Sequence, residues 1–309
     1  MSEPVPYTHD GGDFSPVPFR VVASWPKPAF VENVAVAPNG AVFVTVYSSN
    51  RIDRYDPKTG KTRIFAALPV PPMGLAFDEA GSLWVTGGTM RSAPGYIWKV
   101  SVKGDVQHWT DLPEATFMNG CAVHPHRREL LVCESFSNRV LSIDLREPGK
   151  WSVWLEDELI GPPAGAFFPG ANGIKICDGA AYITVSARSS IVCAPILADG
   201  SAGEIEPVWR DILCDDFAFG ESGSLYITTH PEQTLVRIEP SGKRTTIAGP
   251  DQGMVGATAC AFGTAPGDKG ALYVSTDGGF IVPHEDVVQD AKLVRLELGE
   301  SGYPLLGQR

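Results

Sequence analysis

Two adjacent carboxylates, Asp215 and Asp216, stand directly before the apolar run Phe217-Ala218-Phe219. Like charges next to a buried segment are costly unless a cation or several hydrogen-bond donors neutralise them. The pair therefore predicts a positively charged partner close to this point of the chain.

The same kind of position recurs along the chain. Six segments share an apolar pattern in which two variable residues precede an apolar residue, an alanine (a lysine in one copy) and a second apolar residue, and their aligned first residues are Glu32, Met73, Asn119, Asn172, Asp215 and Thr258. Four of the six carry side-chain oxygens that suit Ca²⁺, with Mg²⁺ or Mn²⁺ as alternatives, whereas Zn²⁺ would favour His or Cys. Single Asn or Asp residues at strand starts are usually turn or capping residues, but four in register predict a metal bound by Glu32, Asn119, Asn172 and Asp215. Asp216 would join the coordination or tune it from behind.

The segments that carry these residues predict the fold. They are 41 to 53 residues apart, and β-branched and aromatic runs such as "AVFVTVY", "SLWVTG" and "SLYITTH" follow them between turn clusters rich in Gly and Pro. This period is typical of four-stranded antiparallel blades. We predict an all-β, six-bladed β-propeller around a central metal site, formed by one domain over residues 1–309. Its blades would start near residues 31, 72, 118, 171, 214 and 257, and a strand at 19–25 would complete the last blade. Two stacked β-sandwiches are the alternative, but they predict no such period.

A second aligned column, in the second strand of each repeat, contains His230. An imidazole beside a metal could move a proton at neutral pH, although a lone histidine is as readily structural. We predict Asp215, Asp216 and His230 as catalytic residues. We predict that six side chains in or near the two columns line the substrate pocket: Met73, Phe117, Met118, Phe168, Tyr47 and Asp277. The alternative is that the apolar ones pack the blade tops together.

Charge and composition narrow the possible partners. The formal net charge of -11 and the pI near 5.0 argue against nucleic acid or an anionic membrane. There is no apolar run of 18 residues and no secretion signal at the start, so we expect a cytoplasmic protein with a small-molecule substrate and leave its oligomeric state open. The six cysteines form no CxxC pair, which favours buried thiols, with disulfides as the alternative.

Four motifs resemble the blade starts of the senescence marker protein/gluconolactonase-like superfamily, which includes regucalcin, gluconolactonases and diisopropyl fluorophosphatase and, more distantly, paraoxonases and strictosidine-synthase-like proteins. The motifs are "ENVAVAPNG", "MNGCAVHP", "GANGIKI" and "CDDFAFGESGSLYIT", and the resemblance extends from about Phe30 to Leu298. It implies a propeller with a catalytic divalent metal on its axis. The family's ligand glutamate falls on Glu32, its two asparagines on Asn119 and Asn172, and its aspartate, also a base or nucleophile, on Asp215.

One departure from that family concerns the substrate. In the sugar-lactonase branch an arginine lies two residues before the first ligand asparagine, and here that residue is Phe117. The departure disfavours gluconolactone and favours an apolar or aromatic substrate. The sequence thus predicts a metal-dependent hydrolase that opens a lactone or related ester. A phosphotriesterase, a strictosidine-synthase-like enzyme or isomerase, and a non-enzymatic calcium-binding scaffold remain alternatives.

Overall fold

The structure, a computed structural model, describes residues 13–305. Its strands form six sheets that each contain four antiparallel strands, and one sheet has a parallel fifth strand as well. The four strands follow chain order except in the last sheet, where an N-terminal strand takes the outer place. This arrangement confirms the predicted six-bladed β-propeller of four-stranded blades. The helices that the structure describes are single turns, and none has the length and hydrophobicity to cross a bilayer.

The described chain begins with β1 (Asp13–Phe14) and β2 (Phe19–Trp25). Blades 1 to 3 consist of β3 (Val31–Val36), β4 (Val42–Val46), β5 (Arg51–Asp56), β6 (Lys61–Ala67), β7 (Pro72–Phe77), β8 (Leu83–Gly87), β9 (Gly95–Val100), β10 (Val106–Leu112), β11 (Met118–Val123), β12 (Glu129–Glu134), β13 (Arg139–Asp144) and β14 (Trp151–Glu156). Blades 4 to 6 contain β15 (Ala171–Cys177), β16 (Ala180–Val185), β17 (Ser190–Pro195), β18 (Glu206–Arg210), β19 (Phe217–Phe219), β20 (Leu225–Thr229), β21 (Thr234–Ile238), β22 (Arg244–Ala248), β23 (Ala257–Phe262), β24 (Ala271–Thr276) and β25 (Ala291–Glu297). Short 3₁₀ turns span Tyr47–Ser49, Glu158–Ile160, Ser186–Arg188 and Pro250–Gln252.

The N-terminal strands close the ring. Strand β2 pairs antiparallel with β25, so that residues from the two ends of the described chain share blade 6. Strand β1 runs parallel to β22 and adds a fifth strand to blade 5. Closure of this kind leaves no exposed sheet edge between the first and last blades.

The hydrophobic core is divided among the contacts between blades. Six clusters of buried residues each join two neighbouring blades. Between blades 2 and 3, for example, Trp84 and Ile97 pack with Met118 and Leu130. Met118, predicted to line the substrate pocket, packs in this core, where its side chain lies against Gly95 of blade 2. Burial of one such side chain stabilises the fold by about 1.5–3 kcal/mol.

Buried threonines in the second strands of four blades connect each of those blades to the next. Thr86 accepts a hydrogen bond from the backbone N–H of Gly74 (2.8 Å) and donates one to the carbonyl oxygen of Asn119 in the following blade (2.6 Å). Three other residues make the same pair of bonds: Thr45, Thr184 and Thr228. The first strands of most blades are irregularly paired at this point, which frees the backbone groups involved. The threonines thus fix the beginning of one first strand against the next.

Candidate functional site

The first strands begin around one end of the axial channel, which we call the upper end. Here Asn172 Nδ2 donates hydrogen bonds to Asp215 Oδ1 (2.5 Å) and to Ser186 Oγ (3.0 Å). Asn172 and Asp215 belong to neighbouring blades, 43 residues apart in sequence. The ring of blades therefore brings together two of the four predicted ligands in direct contact.

Glu32 shares this desolvated region with Asp215. Burial, together with the negative charges of Asp277 and Asp216, raises the pKa of Glu32 to about 8. Burial and the charge of Glu32 raise the pKa of Asp215 well above its ordinary value, although His230 and Asn172 act in the opposite direction. Ionisation of both carboxyl groups is disfavoured here, and a cation bound between them would stabilise their ionised forms.

Two predicted ligands lack partners of their own. Glu32 and Asn119 are 7% and 3% exposed, and the hydrogen bonds found among residues 13–305 include none to either side chain. Side-chain oxygens without a protein partner are available to a cation or to water. A divalent cation on the four predicted residues would satisfy both groups.

The donor set also indicates the kind of cation. Within residues 13–305, no group of three or more His, Cys, Asp or Glu side chains is placed to hold a metal ion. The set at the upper end has only two carboxylates, from Glu32 and Asp215, and its other members are the amides of Asn119 and Asn172. Oxygen donors of this kind fit Ca²⁺ or Mg²⁺ and do not fit Zn²⁺.

Asp216, predicted as a catalytic residue, is held in an ion pair. Lys175 Nζ donates hydrogen bonds to both carboxylate oxygens of Asp216, at 2.6 and 2.7 Å. The Lys175 side chain is only 15% exposed. The cation next to the paired aspartates is therefore, for Asp216, a lysine. The sequence contains a signal for this partner, because Lys175 occupies the repeat position that is alanine in the other five copies.

His230 lies between two carboxylates. Its Nε2 is 3.2 Å from Asp277 Oδ2, and its Nδ1 is 3.9 Å from Asp215 Oδ2. Burial acts to lower the pKa of His230, but the hydrogen bond and charge of Asp277 and the charge of Asp215 outweigh it, so the pKa is raised. The predicted catalytic histidine is thus held beside a predicted metal ligand.

Asp277 is the residue that orients this histidine. It is fully buried and accepts hydrogen bonds from the backbone N–H groups of Gly279 (2.7 Å) and Ile281 (3.2 Å). Gly256 makes room for it, since a Cβ at that position would lie 1.6 Å from Asp277 Oδ1. The sequence predicts Asp277 only as a pocket residue, yet its place in the same column as His230 on the adjacent blade is the signal for their contact.

Aromatic side chains surround the upper end. The ring of Phe30 is 5.2 Å from that of Tyr47 and 5.6 Å from that of Phe280, with which it stacks. The Tyr47 hydroxyl accepts a hydrogen bond from the backbone N–H of Met90 (3.2 Å). Met73 is completely buried. Tyr47 therefore lies in an aromatic group at the rim.

A second aromatic group lies above blades 2 and 3. Phe117 stacks on Phe136, and the Arg91 guanidinium lies 4.1 Å from the centre of the Phe136 ring. Arg91 Nη2 also donates to the carbonyl oxygen of Phe167 (2.8 Å), whose ring contacts Phe168.

The same loops border a shallow depression of about 480 Å³, lined by Arg91, Thr116, Phe136 and 162–166. The sequence analysis did not identify Arg91, Phe136 or Phe280. These residues lie outside the repeated segments, so the alignment of the repeats gives no signal for them.

Comparison with known proteins gives no close relative. No protein-family model matches the chain. A protein from Phoma sp that is provisionally named a hetero-Diels-Alderase is 22% identical, over 92% of each chain.

Similar solved structures show the fold. Regucalcin from Agrobacterium tumefaciens, a calcium-binding protein, has a TM-score of 0.70 and 14% identity, covering 96% of this chain and 99% of its own. A luciferin-regenerating enzyme has a TM-score of 0.69 and 12% identity, covering 94% and 98%. A provisionally named gluconolactonase has a TM-score of 0.69 and 13% identity, covering 94% and 96%. The chain is similar to these proteins in architecture along almost its whole length.

Proposed function

We propose that this protein is a hydrolase that opens a lactone or related ester at the upper end of the propeller, on a divalent cation held by Glu32, Asn119, Asn172 and Asp215. The observation that carries the proposal is the buried carboxylate of Glu32, whose charge acts on Asp215, together with His230 on the other side of Asp215. Calcium is the cation that best suits this donor set. The likeness in fold to regucalcin and to a provisionally named gluconolactonase agrees with the proposal.

The protein's own groups supply the proton transfers. The 3.9 Å gap between His230 Nδ1 and Asp215 Oδ2 is too long for a direct hydrogen bond. A water molecule that bonds to both atoms at about 2.8 Å fits this gap. Neutral His230 takes a proton from this water as it attacks the ester carbonyl, and later returns it to the leaving oxygen. A bound cation would polarise the carbonyl, an effect worth several kcal/mol.

Asp277 acts as a positioning residue in this scheme. Its contact with Nε2 holds that nitrogen as the N–H of the imidazole, so that the lone pair of Nδ1 faces Asp215. The imidazolium formed after proton transfer is stabilised by the same carboxylate. Water attack therefore requires no base other than His230.

The rim favours an apolar or aromatic substrate. Tyr47 and Phe280 are the accessible rings on one side, packed on the buried ring of Phe30. Phe136, stacked on the buried ring of Phe117, is the accessible ring on the other. Such walls bind aryl or alkyl groups, with few polar anchors for a sugar acid. We therefore propose an aryl lactone or ester in preference to gluconolactone.

The test combines metal analysis with a panel of substrates. Protein stripped with a chelator and reloaded with Ca²⁺ is assayed on an aryl lactone, an aryl acetate, a phosphotriester and gluconolactone. We expect turnover of the aryl lactone that depends on one equivalent of cation. Glu32→Gln should reduce both cation affinity and turnover by more than about 10²-fold. Asp53→Asn, which changes a buried carboxylate of a third strand that pairs with Trp25 and Arg51 rather than with the proposed ligands, is the matched control and should retain both. Full turnover by the chelator-treated protein would overturn the role of the cation.

A second function, catalysis of a hetero-Diels–Alder cycloaddition, is favoured by the relative from Phoma sp. In that reaction a diene and a double bond that contains a heteroatom form two new σ bonds, and no water is consumed. The aromatic rim would hold the two π systems together, and the raised pKa of Glu32 would keep a protonated carboxyl available as a hydrogen-bond donor at neutral pH.

Mass spectrometry of products distinguishes the two reactions. Hydrolysis adds the mass of one water molecule to the substrate, whereas an intramolecular cycloaddition leaves the mass unchanged. Solvent enriched in ¹⁸O would label the product of hydrolysis only.

A further inference from the structure

A second cavity lies at the other end of the axial channel, which we call the lower cavity. Its volume is about 310 Å³, near the lower limit of the ~300–1,000 Å³ typical of ligand pockets. None of the four predicted metal ligands lines it. The chain residues Tyr303–Leu305 border its mouth.

The wall of the lower cavity comes from the repeat itself. The fourth residue of each aligned copy, counted from the candidate ligand position, lines the cavity: Ala35, Ala76, Ala122, Lys175, Ala218 and Ala261. Five small side chains leave the space open, and apolar neighbours such as Leu75 and Phe219 complete the wall. The cavity is therefore built by the same six segments that carry the candidate metal ligands at the upper end.

An ion pair separates the two ends of the channel. Asp216 lies next to Asp215, and its charge acts on Glu32 at the upper end, while its partner Lys175 lines the lower cavity. The Asp216 side chain packs closely on the backbone of Gly173, where an added Cβ would lie 2.3 Å from Asp216 Oδ1. The lower cavity is thus a separate compartment from the candidate active site.

Lys175 gives the ring of fourth-position residues one polar anchor, while His126 and Asp178, on turns, also line the cavity. Within residues 13–305, Nζ donates hydrogen bonds only to the two oxygens of Asp216, so one of its three N–H groups is available. Asp216 neutralises the ammonium, and a second carboxylate placed there would be repelled. An uncharged acceptor such as a carbonyl or ether oxygen suits this anchor better.

We infer that the lower cavity binds an uncharged, apolar molecule of one or two fused rings, with a carbonyl or ether oxygen on Lys175 Nζ. The volume of about 310 Å³ favours a ligand of this size, and the five alanines with their apolar neighbours favour one with few polar groups. This site is distinct from the proposed ester-hydrolysing site, and its occupation does not require a metal.

The probe for this site is prodan, a neutral naphthyl ketone whose emission shifts to the blue in apolar surroundings. We expect saturable binding of one molecule to the full chain, with the blue shift. Ala76→Leu and Ala122→Leu each fill the lower cavity and should weaken binding by about tenfold or more. Ala164→Leu makes the same change on the loop that lines the depression at the upper end, and should leave binding unchanged.

Three outcomes would overturn the inference. They are the absence of saturable binding, undiminished binding to both Leu variants of the lower cavity, and loss of binding in Ala164→Leu. Thermal unfolding of each variant without probe verifies that it is folded. If Ala76→Leu unfolds, Ala122→Leu, which places the same side chain on a different blade, provides the same test.

Discussion

The two ends of the axial channel are built by the same strands, yet they differ in chemistry. The upper end gathers Glu32, Asp215 and His230 among aromatic rings, whereas the lower cavity is walled by five alanines and by larger apolar side chains such as Leu75 and Phe219. The difference arises from two positions of one repeat, the first and the fourth. It teaches that a propeller can separate a reactive compartment from an apolar one by a change of register of three residues.

Within the repeats, the residues that fix the backbone differ from the residues that supply the chemistry. The threonines of the second strands hold the backbone at each blade start, so the side chain at the first position is free to vary. At the fourth position the channel is shared by six side chains, and small residues are needed. Only Lys175 departs from this rule, and it points to Asp216.

The largest expected effect tests the reactive end. His230→Gln should lower kcat by about 10²–10⁴-fold, because it removes the base while leaving the proposed cation ligands in place. Asp277→Asn should lower kcat less and should change the pH profile, because it affects only the orientation and protonation of the imidazole. Kinetics on the aryl lactone and metal analysis of both variants provide the measurement.

An exposed histidine provides the control for this prediction. His108→Gln changes a side chain that is 53% exposed and pairs with Asp111 outside the channel, so it should keep full activity. Wild-type kcat in His230→Gln would show that the upper end does not use this histidine as a base.

The next effect concerns the partition between the two ends. Lys175→Met leaves Asp216 buried without its partner and should lower the free energy of unfolding by about 3–5 kcal/mol. The double variant Lys175→Met/Asp216→Leu removes both charges and should recover most of this loss. Denaturant titration of the metal-free protein measures both values.

A surface ion pair provides the comparison for Lys175. Lys243 pairs with Asp13 at the surface, and Lys243→Met should leave the free energy of unfolding unchanged, since exposed pairs contribute little. If Lys175→Met had the same free energy of unfolding as the wild type, the separation of the two ends of the channel would not depend on the ion pair.

The smallest effect is a dependence of stability on pH. The folded protein holds the Glu32 proton up to a pKa of about 8, against an ordinary value of 4.5, so stability is fully present below pH 4.5 and declines as pH rises towards 8. The raised pKa of His230 acts in the same direction. Between about pH 5 and 8 the metal-free protein should lose on the order of a few kcal/mol.

Excess Ca²⁺ should flatten this slope, because a cation favours the ionised carboxylates. Glu32→Gln should flatten it without any metal. Chemical denaturation across this pH range measures the slope, and an identical slope in Glu32→Gln and wild type would contradict the assignment of the effect to Glu32.

Much of the fold could be predicted from the sequence. The period of the repeats gives six blades, and the first residue of each copy selects Glu32, Asn119, Asn172 and Asp215 as one group. Of these four, the contact between Asn172 and Asp215 is direct. The neighbours of Asp216 and Met118 could not be predicted, because an adjacent position on a strand can face a different neighbour, Lys175 in one case and the core in the other.

The remaining parts of the site could not be read from the repeats. Arg91, Phe136 and Phe280 lie outside the aligned segments. Arg91 contacts Phe136, and Phe280 contacts Phe30, only because loops of different blades converge above the channel. The pairing of His230 with Asp277 is visible as a shared column, but a column does not give the distance between two side chains.

The sequence by itself determined the architecture and the types of group available, because hydrophobic period and repeat spacing are local properties that the chain carries in every copy. The tertiary structure alone decided which charges neutralise one another, and so which carboxylates are left for function. That choice depends on distances of a few ångströms between side chains from different blades. It assigned Lys175 to Asp216 and left Glu32 and Asp215 together beside His230.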